Sequence, residues 1–205
     1  MKNKLIMFAK APIRGFAKTR LIPHLGLDNT AYLAKNLILH NLNTLNSCDF
    51  IDSVELIVTS NNLFFDWSEL INNPKVRITQ QCDGSLGDRL IHAAQQFYDN
   101  NTKLLIIGTD CIEIDKHILL DAFNTLDNFD TVICPAYDGG FTLLGLKKFD
   151  PHIFKNIMWS TEKVANQTMD NILELGYSLK QLKTLHDIDD ISDLVRIPSS
   201  FYIKE

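Results

Sequence analysis

Lys10, Arg14, Lys18 and Arg20 fall within the segment Lys10-Ala-Pro-Ile-Arg-Gly-Phe-Ala-Lys-Thr-Arg20, which holds no acidic residue. Pro12 and Gly15 suit a loop, and a glycine lets backbone N–H groups approach an oxyanion closely. Four cations without a local acid repel one another unless an anion joins them. At about 4 Å and an effective dielectric near 20, each opposed pair is worth up to roughly 4 kcal/mol before desolvation. A di- or triphosphate satisfies that arrangement; a solvated basic loop is the alternative. Neither GxxxxGK[ST] nor GxGxxG occurs in the segment, so it is not a Walker A loop or a dinucleotide fingerprint. Far along the chain lie Gly108-Thr-Asp110, Asp138-Gly-Gly140 and Asp187-Ile-Asp189. Asp187 and Asp189 are two apart, which on an extended segment turns both carboxylates to one side. Hard divalent cations take oxygen ligands, and Mg²⁺ is commonly held by one or two carboxylates plus substrate phosphates. Acids at distant points, opposite a basic loop, therefore predict a metal–phosphate site. Each acid alone has a plainer reading: Asp is a common turn and cap residue, and Asp189 could cap a final helix.

Other residues carry weaker signals. Asp138-Gly139-Gly140 reads equally as a tight hairpin turn and as a site in which the second glycine leaves room for a substrate. Ser85 and Asp88 have capping-box spacing, and Arg89 could reach a ligand from the first turn of that helix. Trp159-Ser160-Thr161 reads as the start of a helix with Ser160 or Thr161 as cap, or as the lining of a sugar or base pocket. Asp193 reads as a solvated helix residue. His40, His92, His117 and His152 lack mutual spacing and read as structural. Cys48, Cys82, Cys111 and Cys134 form no CxxC, which disfavours zinc or a redox dithiol and leaves buried free thiols.

These residues need elements to hold them. Short apolar runs predict strands at Leu5–Ala9, Val54–Ser60, Val76–Gln81, Leu104–Gly108, Thr131–Ala136, Phe141–Leu146 and Tyr177–Leu182. Helical spacing predicts one helix capped by Asp28 with Leu33, Leu37, Ile38, Leu42 and Leu45 inward. Others follow Ser85 and cover Lys116–Leu126, Thr161–Leu175 and Ile191–Val195. Alternation of strand and helix, with continuous apolar strands, predicts an α/β fold whose mostly parallel sheet is covered on both faces. The Thr131 and Phe141 strands are too close for a crossover helix, which makes one element antiparallel. In such sheets ligands gather at the carboxyl ends of the strands, where the basic loop, Asp110, Asp138 and the His186–Asp190 segment all fall.

The 205 residues, 45% of them hydrophobic and 22% charged, suit one domain over 1–205 and exclude a disordered or collagen-like chain. The net charge of −5 argues against a general nucleic-acid coat protein, yet it is unevenly spread. Residues 1–27 hold six basic and no acidic groups, while the remainder holds 14 basic and 25 acidic, so +6 precedes −11. The Leu5–Ala9 run is too short for a signal peptide, and no run approaches a membrane span, so a cytoplasmic protein is expected. Phe64-Phe65-Asp-Trp67 could be a dimerisation patch, although packing on the sheet is the simpler reading.

Phe8-Ala-Lys-Ala-Pro12, Gly15, Lys18-Thr-Arg-Leu21, Gly108-Thr-Asp-Cys111, Pro135-Ala136, Asp138-Gly-Gly140, Gly145-Leu146, Trp159-Ser-Thr161, Asp187-Ile-Asp189 and Asp193-Leu194 together resemble the DUF2064 family, in order over about residues 5–195. Members of that family are provisionally assigned as glycosyltransferases. The family resembles a branch of the nucleotide-diphospho-sugar transferase (GT-A) superfamily, which also holds phospholactate and molybdenum-cofactor guanylyltransferases and sugar-phosphate nucleotidyltransferases. The resemblance implies a three-layer, Rossmann-like α/β sandwich. It implies that Lys18 and Arg20 hold nucleotide phosphates, that Asp110 and Asp189, with Asp187 beside them, hold Mg²⁺ or Mn²⁺, and that Asp138 orients or deprotonates the acceptor. Lys10, Ala11, Arg14, Gly15, Arg89, Gly139, Gly140, Ser160 and Thr161 would line the substrate. The chain departs from the family pattern at Arg14, Ile112 and Asp190-Ile191. Glycosyl transfer from a nucleotide sugar to a small acceptor is the expectation. Nucleotidyl transfer from a nucleoside triphosphate is the alternative, and a non-catalytic nucleotide-binding domain a lesser one.

Overall fold

Seven of the apolar runs form strands of one sheet in a computed structural model that describes residues 1–59 and 65–203. The strands are β1 (Lys2–Ala9), β2 (Ser53–Val58), β3 (Val76–Gln80), β4 (Thr102–Ile107), β5 (Thr131–Pro135), β6 (Phe141–Leu146) and β7 (Leu179–Gln181). Their order is β3-β2-β1-β4-β6-β5-β7. β1 pairs in parallel with both β2 and β4, so the chain reverses its direction of winding between β1 and β4. β6 runs antiparallel to β4 and to β5, as the short connection requires. The result is an α/β three-layer sandwich with a mostly parallel, mixed sheet.

Alternate strand residues face opposite layers. Leu5, Met7, Leu56, Leu105 and Ile107 pack under helices α1 (Ile22–Asn46) and α3 (Lys116–Asn128). Ile6, Ile57, Leu104, Ile106 and Leu144 pack under α2 (Leu86–Phe97) and α4 (Val164–Glu174). With both faces covered, the central strands are apolar at nearly every position. No helix among the described residues is long and apolar enough to cross a membrane.

The helix starts differ from expectation in instructive ways. α1 is broken by a non-helical Gly26, and its long part begins there, so Asp28 lies in the first turn and pairs with Arg14 instead of capping. Ser85 and Asp88 form the expected capping box on α2. α4 starts at Val164 after Lys163; Thr161 holds the preceding turn by donating to the Met158 carbonyl, and Ser160 is left-handed at φ 63°. The helix expected at Ile191–Val195 is a 3₁₀ turn, Ile191–Arg196, capped by Asp190 rather than Asp189. Asp193 is not simply solvated: it accepts the backbone N–H groups of Asp189 and Asp190, each at 2.9 Å.

Phe64 lies outside the described residues. Phe65 packs edge-on against the buried Trp67, as the packing reading of that stretch expects. Cys48, Cys111 and Cys134 are buried free thiols and Cys82 is half-buried. Burial pushes the Cys111 and Cys134 thiols up to about 12, which leaves them inert at neutral pH.

Candidate active site

The carboxyl ends of β1 and β4 flank the point where the winding reverses, the place where open α/β sheets leave a crevice. Here β1 runs into the basic loop and β4 into Gly108-Thr109-Asp110. The third contributor arrives from the far edge of the sheet. Beyond β7 the chain stays extended, with Leu185 bonded to Pro135 and Tyr137, and the Ile188 N–H donates to the Asp110 carbonyl at 2.9 Å. Ile188 is fully buried against Leu21, Leu33 and Leu37, so Asp187 and Asp189 on either side of it are fixed by an apolar anchor.

Lys18 is the centre of this arrangement. Its side chain is 6% exposed, and its ammonium lies 2.8 Å from Asp110 Oδ1 and 2.7 Å from Asp189 Oδ1. It also donates to the Ile188 carbonyl, so its three N–H groups are taken up by the protein. Burial pulls its pKa down, but the charges of Asp110 and Asp189 more than reverse this and hold it above the ordinary lysine value. Lys18 adopts a left-handed backbone at φ 52°, a strained state for a side-chain-bearing residue that these contacts maintain. Asp189 is half-buried, which raises its carboxyl pKa, yet Lys18 first and then Arg20 and Lys10 keep it below the usual range. Arg20 is exposed, with Nη1 3.8 Å from Asp189 Oδ2.

Two cavities meet at Asp189 and share Arg20, Phe8, Leu86 and Gly108. The first, of about 550 Å³, is lined by Lys10, Lys18, Arg20, Gln81, Arg89, Thr109 and Asp110. The second, of about 450 Å³, is lined by Phe141, Trp159, Ser160, Thr161, Glu162, Asp138, Gly140 and Asp187. Asp138, Asp187 and Asp189 each bring a carboxylate oxygen to within 4.8 Å of the others.

Several expected residues therefore converge and others do not. Arg14 forms a two-pronged pair with Asp28 instead of facing the crevice. Ala11 is fully buried, and neither it nor Gly15 lines either cavity. Lys18 serves Asp110 and Asp189 and has no N–H left for a phosphate in this conformation. Asp110 stands outside the carboxylate cluster because Lys18 lies between it and Asp189, and Asp138 takes the third position. Gly139 leaves no room for a substrate: at φ 90° it abuts the Glu162 backbone, which a β-carbon would penetrate, and its carbonyl accepts from the Ala165 N–H. This glycine exists to let the loop Trp159–Glu162 lie against the hairpin. Asp138 is both turn and site residue, since its Oδ1 accepts the Gly140 N–H at 2.8 Å while its carboxylate borders the second cavity.

Sequence reasoning missed Gln81, Glu162 and Asn41. Gln81 sits just beyond β3, a strand end that the same carboxyl-end rule covers; its side-chain amide donates to the Ile57 carbonyl, and its Oε1 accepts from Arg89. Buried Asn41 on α1 donates to the Thr109 carbonyl at 3.1 Å and so steadies the β4 end. A polar residue on the inward stripe of that helix was the available signal.

Burial is the chief reason the Asp187 carboxyl is pushed up to about 6, with the Asp138 and Asp189 charges adding to it. A raised carboxyl pKa means the folded chain holds the proton more tightly than the unfolded one. Its stabilisation is fully present below the ordinary value of 3.8 and is lost as pH rises through about 6. Asp187→Asn is thus expected to raise the melting temperature of the metal-free protein at pH 8 and to change it little at pH 4. Discounted for solvent screening, the gain is about 1 kcal/mol, or about 2–4 °C. Thermal denaturation at the two pH values checks this; an equal shift at both would sink it.

Residues 44–161, more than half of the chain, match the family model described as "Uncharacterized protein conserved in bacteria (DUF2064)". The chain belongs to the DUF2064 family. This DUF2064 protein is 27% identical over 145 residues to the 2-phospho-L-lactate guanylyltransferase of Methanocaldococcus vulcanius, spanning 70% of the chain and 61% of that relative's length. Among solved structures it is similar to a provisionally named nucleotide-diphospho-sugar transferase from Desulfovibrio desulfuricans G20, at TM-score 0.86 and 24% identity, covering 98% of this chain and 93% of that one. It also resembles the 4-diphosphocytidyl-2C-methyl-D-erythritol synthase of Anaerococcus prevotii, at TM-score 0.65 and 12% identity, covering 95% and 93%. These structural likenesses establish the shared fold.

Proposed function

We propose that this DUF2064 protein is a metal-dependent transferase that takes a nucleotide-activated donor, and that it transfers a sugar from a nucleotide-diphospho-sugar to a small acceptor. One observation carries the reading: a cation-lined cavity and a carboxylate-lined cavity meet at Asp189, at the winding reversal of the sheet. The first offers Lys10, Arg20 and Arg89 to a diphosphate. The second offers an apolar wall and Asp138 to an acceptor.

The donor set suits a hard divalent ion, being three carboxylates whose oxygens lie within 4.8 Å and whose mutual repulsion such an ion would relieve. Of these, Asp187 and Asp189 would hold Mg²⁺ or Mn²⁺, leaving Asp138 free for the acceptor; bound there, the ion would supply neutralisation of the leaving diphosphate. The chain's own residues do the rest. Lys10, Arg20 and Arg89 bind the phosphates and stabilise the charge that grows on them as they leave. Lys18 keeps Asp110 and Asp189 in position. Asp138, with one oxygen fixed by the Gly140 N–H, presents the other to the acceptor hydroxyl and takes its proton. The acceptor oxygen bonds to the anomeric carbon while the bond from that carbon to the phosphate oxygen breaks, and the nucleoside diphosphate departs with the electron pair.

A second reading, nucleotidyl transfer, is favoured by the guanylyltransferase relative. In it an anionic acceptor attacks the α-phosphorus of a nucleoside triphosphate and diphosphate leaves. Product analysis separates the two. Nucleoside diphosphate released from a nucleotide sugar supports glycosyl transfer, and diphosphate released from a nucleoside triphosphate replaces it with the second reading.

A further inference from the structure

The two cavities differ in sign. The first sets Lys10, Lys18, Arg20 and Arg89 against Asp110 and Asp189. The second sets Asp138, Glu162, Asp187 and Asp189 against Arg20, its one basic residue among the described residues. Lys18, outside this lining, pairs with Asp189 at 2.7 Å, so the metal-free cavity keeps an excess of two negative charges, and with a divalent ion on Asp187 and Asp189 the Asp138 and Glu162 carboxylates still face it. The remainder of its lining is largely apolar, with the hydroxyls of Thr142, Ser160 and Thr161, and Trp159 forms part of the wall. Gly87, buried in the first turn of α2, would with a β-carbon stand 3.0 Å from the Trp159 indole nitrogen and 3.1 Å from the Phe154 carbonyl. Glycine at that position lets the indole settle against the helix, and the ring then borders the cavity together with Phe8 and Phe141. Aromatic walls with a few polar groups at one end suit a ring compound that carries hydroxyls.

We infer that the second cavity takes an uncharged or cationic ring-bearing hydroxyl compound as acceptor and excludes phosphorylated and carboxylated ones. As an assignment of an acceptor this rests on the transferase reading, but the sign of the cavity does not. A phosphate-bearing acceptor would be brought against the Asp138 and Glu162 carboxylates, with Arg20 the one basic residue among the described lining residues, and discrimination of this kind works by repulsion as much as by attraction. The acceptor class also bears on chemistry, since nucleotidyl transfer to a phosphate needs the anion that this cavity repels.

Trp159 reports the sign directly. The chain has two tryptophans, and the other, Trp67, is 6% exposed and shielded from ionic quenchers. In metal-free protein at low ionic strength, caesium is expected to quench the fluorescence about threefold or more efficiently than iodide, each normalised to free N-acetyltryptophanamide. Glu162→Lys changes an exposed side chain whose backbone, not its carboxylate, packs on Gly139, and it should bring the ratio toward unity. Iodide quenching equal to or stronger than caesium quenching in the unaltered protein overturns the inference. Turnover against three pooled acceptor sets supplies the second arm: neutral glycosides and polyols, amino sugars, and sugar phosphates with carboxylic acids. Turnover is expected with the first two and at least about tenfold weaker with the third; preference for the third overturns it. Quenching needs no donor, so loss of nucleotide binding would defeat the transferase reading alone. Iodide preference with nucleotide binding intact would defeat the acceptor inference alone.

Discussion

Replacing Lys18 with Met is expected to abolish turnover and to lower the melting temperature by about 5–10 °C. The side chain is 6% exposed and sits between Asp110 and Asp189 with a third bond to the Ile188 carbonyl. Removing one partner of a buried ion pair costs about 3–5 kcal/mol, because the other charge is left without compensation. In this site Asp110 and Asp189 keep 46% and 38% of their side-chain surface exposed, so water recovers part of that loss. About 2–3 kcal/mol remains, which gives the stated shift for a chain of this size. Activity falls for a separate reason: without the ammonium the two carboxylates repel, and Asp189, which borders both cavities, moves off its position. Thermal denaturation and product release measured on the same preparation check both parts. A stable, active Lys18→Met protein would remove Lys18 from the centre of the site.

Asp189→Asn is expected to reduce turnover by about 10²–10³-fold and to abolish the thermal stabilisation expected from Mn²⁺ in the unaltered protein. The substitution keeps the shape of the side chain but removes the charge that Lys18, Arg20 and the neighbouring carboxylates are arranged around. Asn still accepts from Lys18, so the fold survives and the loss is one of ligand binding. Differential scanning calorimetry with and without Mn²⁺ reads the effect, and an undiminished Mn²⁺ response would show that the cation is held elsewhere.

The strands were legible because a sheet covered on both faces makes its central strands apolar throughout, and runs such as Leu104–Ile107 state this without ambiguity. The carboxyl-end rule then places the basic loop, Asp110, Asp138 and Asp187–Asp189 in one region. It could not tell which charges would meet. Lys18 and Asp189 are 171 positions apart, and their pairing depends on a segment beyond β7 that local periodicity does not describe. For the same reason Arg14 was grouped with the other cations, although the break at Gly26 brings Asp28 alongside it. Gly139 illustrates a further limit: a glycine spared for a substrate and one spared for another part of the backbone look alike in sequence. Asp193 looks solvated in sequence because its bonds run backwards to the N–H groups of Asp189 and Asp190, the reciprocal half of a capping box whose first member is Asp190.

In the proposed mechanism one nucleotide diphosphate is shared between the cationic cavity and a divalent ion on the carboxylates. Isothermal titration of the folded protein with a panel of nucleoside diphosphates, in Mn²⁺ and again in chelator, tests it most directly. Saturable binding of at least one of them is expected in Mn²⁺, weakened at least about tenfold in chelator and again by Arg89→Ala. Absence of binding in Mn²⁺ across the panel, or binding indifferent to both the ion and Arg89, would contradict it.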